Sequence, residues 1–185
     1  MIDTPTKAHS FMSPEQVLHQ LSRLESKTVA DLGTGSGAYA LALARRVGTS
    51  GKVYAVDIQK ELIGRLAKEA QDQGFKNLHV LWGAIDKAQG TTLASESCDS
   101  VVLSNVFFQI DAKDLCAKEV ARILKHDGEL LFVEWSDSFS HLGPHPDRVV
   151  KEHQVEKLFA MAGMSVKKRF NAGPHHYGIV FTKTV

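Results

Sequence analysis

Nine consecutive residues constrain this chain more than any others: Val29-Ala30-Asp31-Leu32-Gly33-Thr34-Gly35-Ser36-Gly37. The run Thr28–Leu32 reads as a buried strand, three glycines follow at alternate positions, and Ala38–Val47 reads as a helix rich in Ala and Leu. Glycine at such a strand-to-helix joint permits unusual backbone angles. It also lets a ligand reach the main chain with no Cβ in the way.

The same alternation continues along the chain. Strand-like runs are Lys52–Asp57, Leu78–Trp82, Asp99–Ser104 and Glu129–Trp135, and helix-like runs are Lys60–Gln73, Ala112–Leu124 and Glu152–Ala162. The segment after Trp82 is polar, with a helical turn expected in it. Strands separated by helices imply right-handed crossovers and a parallel sheet covered on both faces. The end differs, because only Asn171–His176 separates Ser165–Phe170 from Tyr177–Thr182, too short for a helical crossover. The expectation is therefore a doubly wound, Rossmann-like α/β sheet of seven strands, five parallel in type plus a terminal antiparallel pair.

Ahead of the sheet, Ser13-Pro14-Glu15-Gln16 is a helix start, with Ser13 as N-cap, Pro14 at the first helical position and Gln16 closing a capping box. Val17, Leu18, Leu21 and Leu24 give its apolar stripe. The 185 residues suit one domain, 1–185, with a helical cap over 1–27 and a ligand-binding core over 28–185. Lys and Arg number 22 against 21 Asp and Glu, a net charge of +1 that gives no argument for a nucleic-acid partner. No apolar run is long enough to span a membrane, and the first residues lack a signal-peptide core, so a cytoplasmic protein is expected. Cys98 and Cys116 form neither a disulfide framework nor a zinc motif.

Asp57 ends the second strand about twenty residues beyond the glycine loop, where a carboxylate can accept both hydroxyls of an adenosine ribose. Gly33, Gly35 and Ala38 also satisfy the dinucleotide fingerprint, so an NAD-dependent oxidoreductase is one reading. Three features oppose it. Asp31 puts a negative charge beside the loop, useful for a cation and unhelpful for a pyrophosphate. Gly37 is a glycine that fingerprint does not require. No tyrosine is followed by a lysine four residues on, as hydride-transfer machinery would suggest.

Taken together, VADLGTGSG, VYAVDI, WGAIDKA and SNVFFQIDAKDLCAKEVARILKHDGELLFVEW resemble successive motifs of the class I S-adenosylmethionine-dependent methyltransferases. The resemblance is to the small group related to the ubiquinone/menaquinone C-methyltransferases. It implies S-adenosyl-L-methionine as cofactor, with Asp31, Gly33, Gly35 and Gly37 around its methionine end and Asp57 on the ribose. It further implies Ile58 and Ile85 about the adenine, Asp86 on the adenine amino group, and Ser104 and Asn105 near the methionine moiety. Where the family often has Gly-Asp-Ala, this chain has Gly83-Ala84-Ile85-Asp86, which displaces the acidic residue. A non-catalytic S-adenosylmethionine- or nucleoside-binding module is the second alternative.

The strand end Ser104-Asn105-Val106-Phe107 differs from the Asn-Pro-Pro-Tyr/Phe motif of adenine and amide N-methylation, and no cysteine pair suggests arsenic chemistry. A small-molecule acceptor is expected. Of nine histidines, none has a convincing metal-ligand spacing. His141 and His175 lie on loops expected at the ligand end of the sheet, and a mouth lined by Phe11, Met12, Phe107, His141 and His175 would let one of them act as general base. Phe108, Trp135 and Phe139 are further candidates for its walls.

Overall fold

The computed structural model describes residues 13–139 and 143–184. Seven strands, β1(Thr28–Leu32), β2(Lys52–Asp57), β3(Leu78–Trp82), β4(Cys98–Ser104), β5(Leu124–Trp135), β6(Met164–Asn171) and β7(His176–Lys183), form one sheet in the order β3-β2-β1-β4-β5-β7-β6. Strands β1 to β5 pair in parallel, and β7 runs antiparallel to both β5 and β6. The expected architecture is the one observed.

Strand side chains alternate between faces, and that alternation splits the core. On one face Ala30, Leu32, Val101, Leu103, Leu130, Phe132, Ile179 and Phe181 pack with α4(Lys113–Ile123) and α5(Glu152–Met161). On the other, Val29, Val102, Leu131, Val133 and Val180 pack with α1(Pro14–Leu18), α2(Ala38–Val47) and α3(Lys60–Asp72). The chain builds outward from β1 to β2 and β3, then returns to β4 on the far side of β1. The carboxyl ends of β1 and β4 thus flank the point where the strand order reverses, the place where open α/β sheets bind ligands.

Two expectations need correction. Ser13 caps α1, and the Gln16 box forms, but the helix ends at Leu18. The N–H of Ser22 donates to Glu129 at 2.8 Å, and its hydroxyl donates to the same carboxylate at 2.9 Å, so the tertiary contact takes the donor a longer helix would use. Leu21 and Leu24 are buried from the non-helical segment that follows. The helical turn expected after β3 does not form. The buried Glu119 carboxylate accepts the N–H groups of Gln89 and Thr91 and the Thr91 hydroxyl, and holds that segment as a loop. Among the described residues, no helix is long and apolar enough to cross a membrane.

Candidate cofactor site

The three glycines of the loop all have left-handed backbones, with φ of +70° at Gly33, +54° at Gly35 and +85° at Gly37. Their surroundings differ. A Cβ on Gly37, the N-cap of α2, would lie 2.3 Å from Cδ1 of Leu66 on α3, so this glycine serves helix packing. A Cβ on Gly33 would strike Val106. On Gly35 it would meet only the Gly33 carbonyl, at 3.9 Å. Gly35 is the position where the main chain is open to a ligand.

The loop is tied down by two acids. Asp57 is 6% exposed, and its two carboxylate oxygens accept the N–H groups of Gly35 and Gln59, each at 2.9 Å. Each oxygen keeps acceptor capacity for a further donor. Asp31 is buried at the end of β1 and accepts the Thr34 hydroxyl at 2.5 Å. Burial pushes its acid up to about 6, against the downward pull of the Thr34 hydroxyl and the Ala40 N–H.

A cavity of about 530 Å³ opens between these elements. Of the residues singled out in the sequence, Gly33, Gly35, Asp57, Ile58, Ile85, Asp86, Ser104 and Asn105 line it. Asp31 and Gly37 do not; they stand behind the loop, one as a buried charge and the other as a packing position. Ile58 is 57% exposed and Ile85 is buried, yet both face the same space. The exposed Trp82 supports Ile58, since its indole N–H donates to the Ile58 carbonyl at 3.0 Å.

Asn105, at the tip of β4, has φ +54°, a conformation Asn tolerates better than most residues. Its N–H donates to the Val133 carbonyl at 3.0 Å, which turns the chain into the short 3-10 turn Phe107–Gln109.

Of the expected mouth, Phe107 and His175 fall among the described residues, and neither lines the cavity. His141 lies outside the described residues, as do Phe11 and Met12. His175 sits at the β6–β7 turn with its ring 4.1 Å from that of Phe139, and it does not line the cavity. The physical reason is topological, because β5 separates β7 from β4. Phe107 is 1% exposed and stacks with Phe132 and Phe159, so it belongs to the core. Phe108 packs against the same core. Trp135 and Phe139 form a separate aromatic group with His175 of the β6–β7 turn and His176 at the start of β7.

Sequence reasoning missed Tyr39, Gln59, Val106, Gln109 and Ile110, which line the cavity. Tyr39 had a signal, since it lies in the first turn of the helix that leaves the glycine loop. Gln109 and Ile110 had none, because only the turn after Asn105 brings them back. No group of three or more metal-ligating side chains occurs among the described residues.

Comparison with known proteins sets the chain beside methyltransferases. Residues 23–173 match the family described as "Methyltransferase domain". The arsenite methyltransferase of Mus musculus is 34% identical over 139 residues, covering 72% of this chain and 36% of that one. A ubiquinone/menaquinone biosynthesis C-methyltransferase of Hydrogenovibrio crunogenus is 29% identical over 108 residues, covering 58% of this chain and 42% of that one. The crystal structure of a SAM-dependent methyltransferase from Aquifex aeolicus superposes with a TM-score of 0.86 at 28% identity, covering 98% of this chain and 95% of that one. The chain spans about a third of the length of the first curated relatives it matches.

Proposed function

The chain belongs to the methyltransferase-domain family, and on that premise we propose that it binds S-adenosyl-L-methionine in the cavity beside Gly35 and Asp57 and methylates a small-molecule acceptor. The observation that carries this reading is the charge of the cavity. Among its described lining residues the ionisable carboxyl groups are Asp57 and Asp86, and no Lys, Arg or His accompanies them. That lining suits a ligand bearing a sulfonium and an ammonium, and it opposes a dinucleotide pyrophosphate.

The residues present fit such a cofactor. Gly35 leaves its backbone open, and the free acceptor capacity of Asp57 suits a pair of ribose hydroxyls. Ile58 and Ile85 offer apolar surfaces for an adenine, and Asp86, in the same lining, would accept from its amino group. Asp31 contributes negative charge through the loop. When bound, the cofactor supplies an activated methyl group on a sulfonium. This chain would then hold the acceptor in line with that methyl, and positioning alone can give large accelerations without a covalent enzyme intermediate. Tyr39, Asn105 and Gln109 form the polar surface available to an acceptor, and the Ser104 hydroxyl lies buried beneath it with no hydrogen-bond partner among the described residues.

Two features bear on the acceptor. A cavity with acidic groups and no cation favours a neutral or cationic molecule. Trivalent arsenic, the substrate class in the name of the first relatives, is a soft centre that calls for thiolate ligands. Cys98 and Cys116 are both buried and neither lines the cavity, and burial pushes the Cys98 thiol up to about 11 and raises the Cys116 thiol as well. This supports an acceptor other than arsenite. A general base is needed only where the acceptor must lose a proton, and His141 is the remaining histidine candidate from the sequence.

The test is transfer of a labelled methyl group from S-adenosylmethionine to the small-molecule fraction of a cell extract. Labelled product that disappears with Asp57→Ala supports the proposal. Tight cofactor binding with no labelled product from any extract or acceptor panel would instead favour a binding module.

A further inference from the structure

Two buried glutamates each hold one wall of the cavity, and they are built differently. Glu119 on α4 holds the loop that carries Ile85 and Asp86, and its charge is matched by Arg122 at 2.7 Å. Glu134, next to last in β5, is 0% exposed. One of its oxygens accepts the Trp135 N–H at 2.8 Å and the other accepts the Phe108 N–H at 3.1 Å. Phe108 is the middle residue of the turn whose flanks, Asn105, Val106, Gln109 and Ile110, form the opposite wall. Asn105 is itself held by Val133, the residue before Glu134. The tip of β5 thus fastens this wall through two consecutive residues.

We propose that Glu134 is a positioning residue of the cofactor site, whose ionised carboxylate holds the Asn105–Ile110 wall through the Phe108 N–H and whose protonation releases it. The inference rests on reading the cavity as the S-adenosylmethionine site. An ionised carboxylate accepts on both oxygens, whereas a protonated one gives up part of that capacity to its own hydroxyl. Weakening the oxygen that faces the turn loosens the part-buried Phe108 N–H from its acceptor, a cost the turn relieves by moving.

The surroundings put this change in the physiological range. Burial pushes the Glu134 acid up to about 7, with the N–H groups of Trp135, Phe108 and Phe107 pulling it down. The titratable groups facing it among the described residues are Lys113 from α4 and Tyr177 from β7. Lys113 is turned to the same wall, donating to the Ile110 carbonyl and lying 5.7 Å from the Phe107 ring centre. Arg148 and Asp111 act in turn on Lys113. The sign is clear. Because the folded acid lies above its ordinary value, the ionised form costs fold stability as pH rises toward 7, and that same form holds the wall.

The experiment follows the backbone amide signals of the full chain without ligand between pH 5.5 and 8.5, and measures S-adenosylhomocysteine affinity by calorimetry. The Phe108 and Trp135 amides are expected to move together with a midpoint near 7, and to stop titrating in Glu134→Gln. At pH 8 the variant should bind S-adenosylhomocysteine about tenfold more weakly, the order expected from one lost hydrogen bond to a charged group. Wild-type affinity should fall toward that of the variant as pH drops below 7. Silent amides in the wild type overturn the proposal, even where the variant fails to fold. A folded Glu134→Gln that binds like the wild type overturns it too. If the wild type binds no S-adenosylhomocysteine at either pH, the reading of the cavity fails instead. The attachment of the wall to Glu134 is then judged by the amides, which need no cofactor.

Discussion

The carboxylate of Asp57 accepts the backbone N–H of Gly35 at 2.9 Å. The acid at the end of β2 and the open glycine after β1 are therefore one mechanical unit, and a ligand that engages one also feels the other.

Asp57→Ala should weaken S-adenosylmethionine binding on the order of 10- to 100-fold, the equivalent of roughly 1.5–3 kcal/mol for a hydrogen bond to a charged group. Sequence position alone suggests little effect on the fold. The structure changes that expectation, because Asp57 also holds Gln59, and its removal orphans two N–H groups. A stability loss of about 1–3 kcal/mol is expected in urea denaturation. Calorimetry on the folded variant measures the binding loss, and unchanged affinity would remove Asp57 from the site.

Gly35 and Gly37 should separate function from folding. Gly35→Val places a branched side chain where the loop is open, and it should abolish cofactor binding while the strain at φ +54° costs about 1–2 kcal/mol. Gly37→Ala should leave the loop open and damage the packing of α2 on α3, at about 2–4 kcal/mol from overpacking and backbone strain together. Leu66→Ala in the same chain should recover part of the overpacking, since Leu66 is the group struck. Thermal unfolding of the single and double variants checks this, and a Gly37→Ala protein as stable as the parent refutes it.

Asp31 sets a pH dependence. Burial holds its folded acid near 6, above the ordinary value of 3.8. The folded state therefore binds more protons than the unfolded state between these values, and stability falls as pH rises through that window, by up to about 3 kcal/mol. Above pH 6 the cost is fully present, and it is the charged form that favours a cationic ligand. Asp31→Asn should raise the urea midpoint more at pH 8 than at pH 4, while weakening S-adenosylmethionine at pH 8. Equal gains at both pH values would show that Asp31 does not titrate in this way.

Glu119→Ala should be costly to the fold. The side chain is 1% exposed, and its loss takes the counter-charge from Arg122 and the acceptor from the Thr91 hydroxyl and two backbone N–H groups. About 3 kcal/mol is expected, the range for breaking a buried charged cluster from one side. Denaturation by urea reads it, and a loss under about 1 kcal/mol would mean that the loop is held elsewhere.

The parts legible in the sequence were those with local causes. Thr28–Leu32, Lys52–Asp57 and Leu78–Trp82 form strands over the residues expected, because each is an apolar run closed by polar or glycine positions. Asp57 reaches the cavity because a strand end after a glycine loop has one place to go. The parts not legible depend on distant partners. The end of α1 is decided by Glu129, 107 residues away from Ser22. Gly37 is explained by Leu66, and the Asn105–Ile110 wall by Glu134, none of which has a local pattern. His175 reads as a mouth residue because its loop is expected at the ligand end of the sheet. The order of strands, which spacing alone does not give, puts β5 between it and β4.

The most direct measurement is calorimetric titration of the wild-type chain at pH 8 with S-adenosylmethionine, S-adenosylhomocysteine and NAD in turn. One site is expected for each of the first two ligands, with no heat of binding for NAD. Saturable binding of NAD, with neither S-adenosyl compound binding, would contradict it.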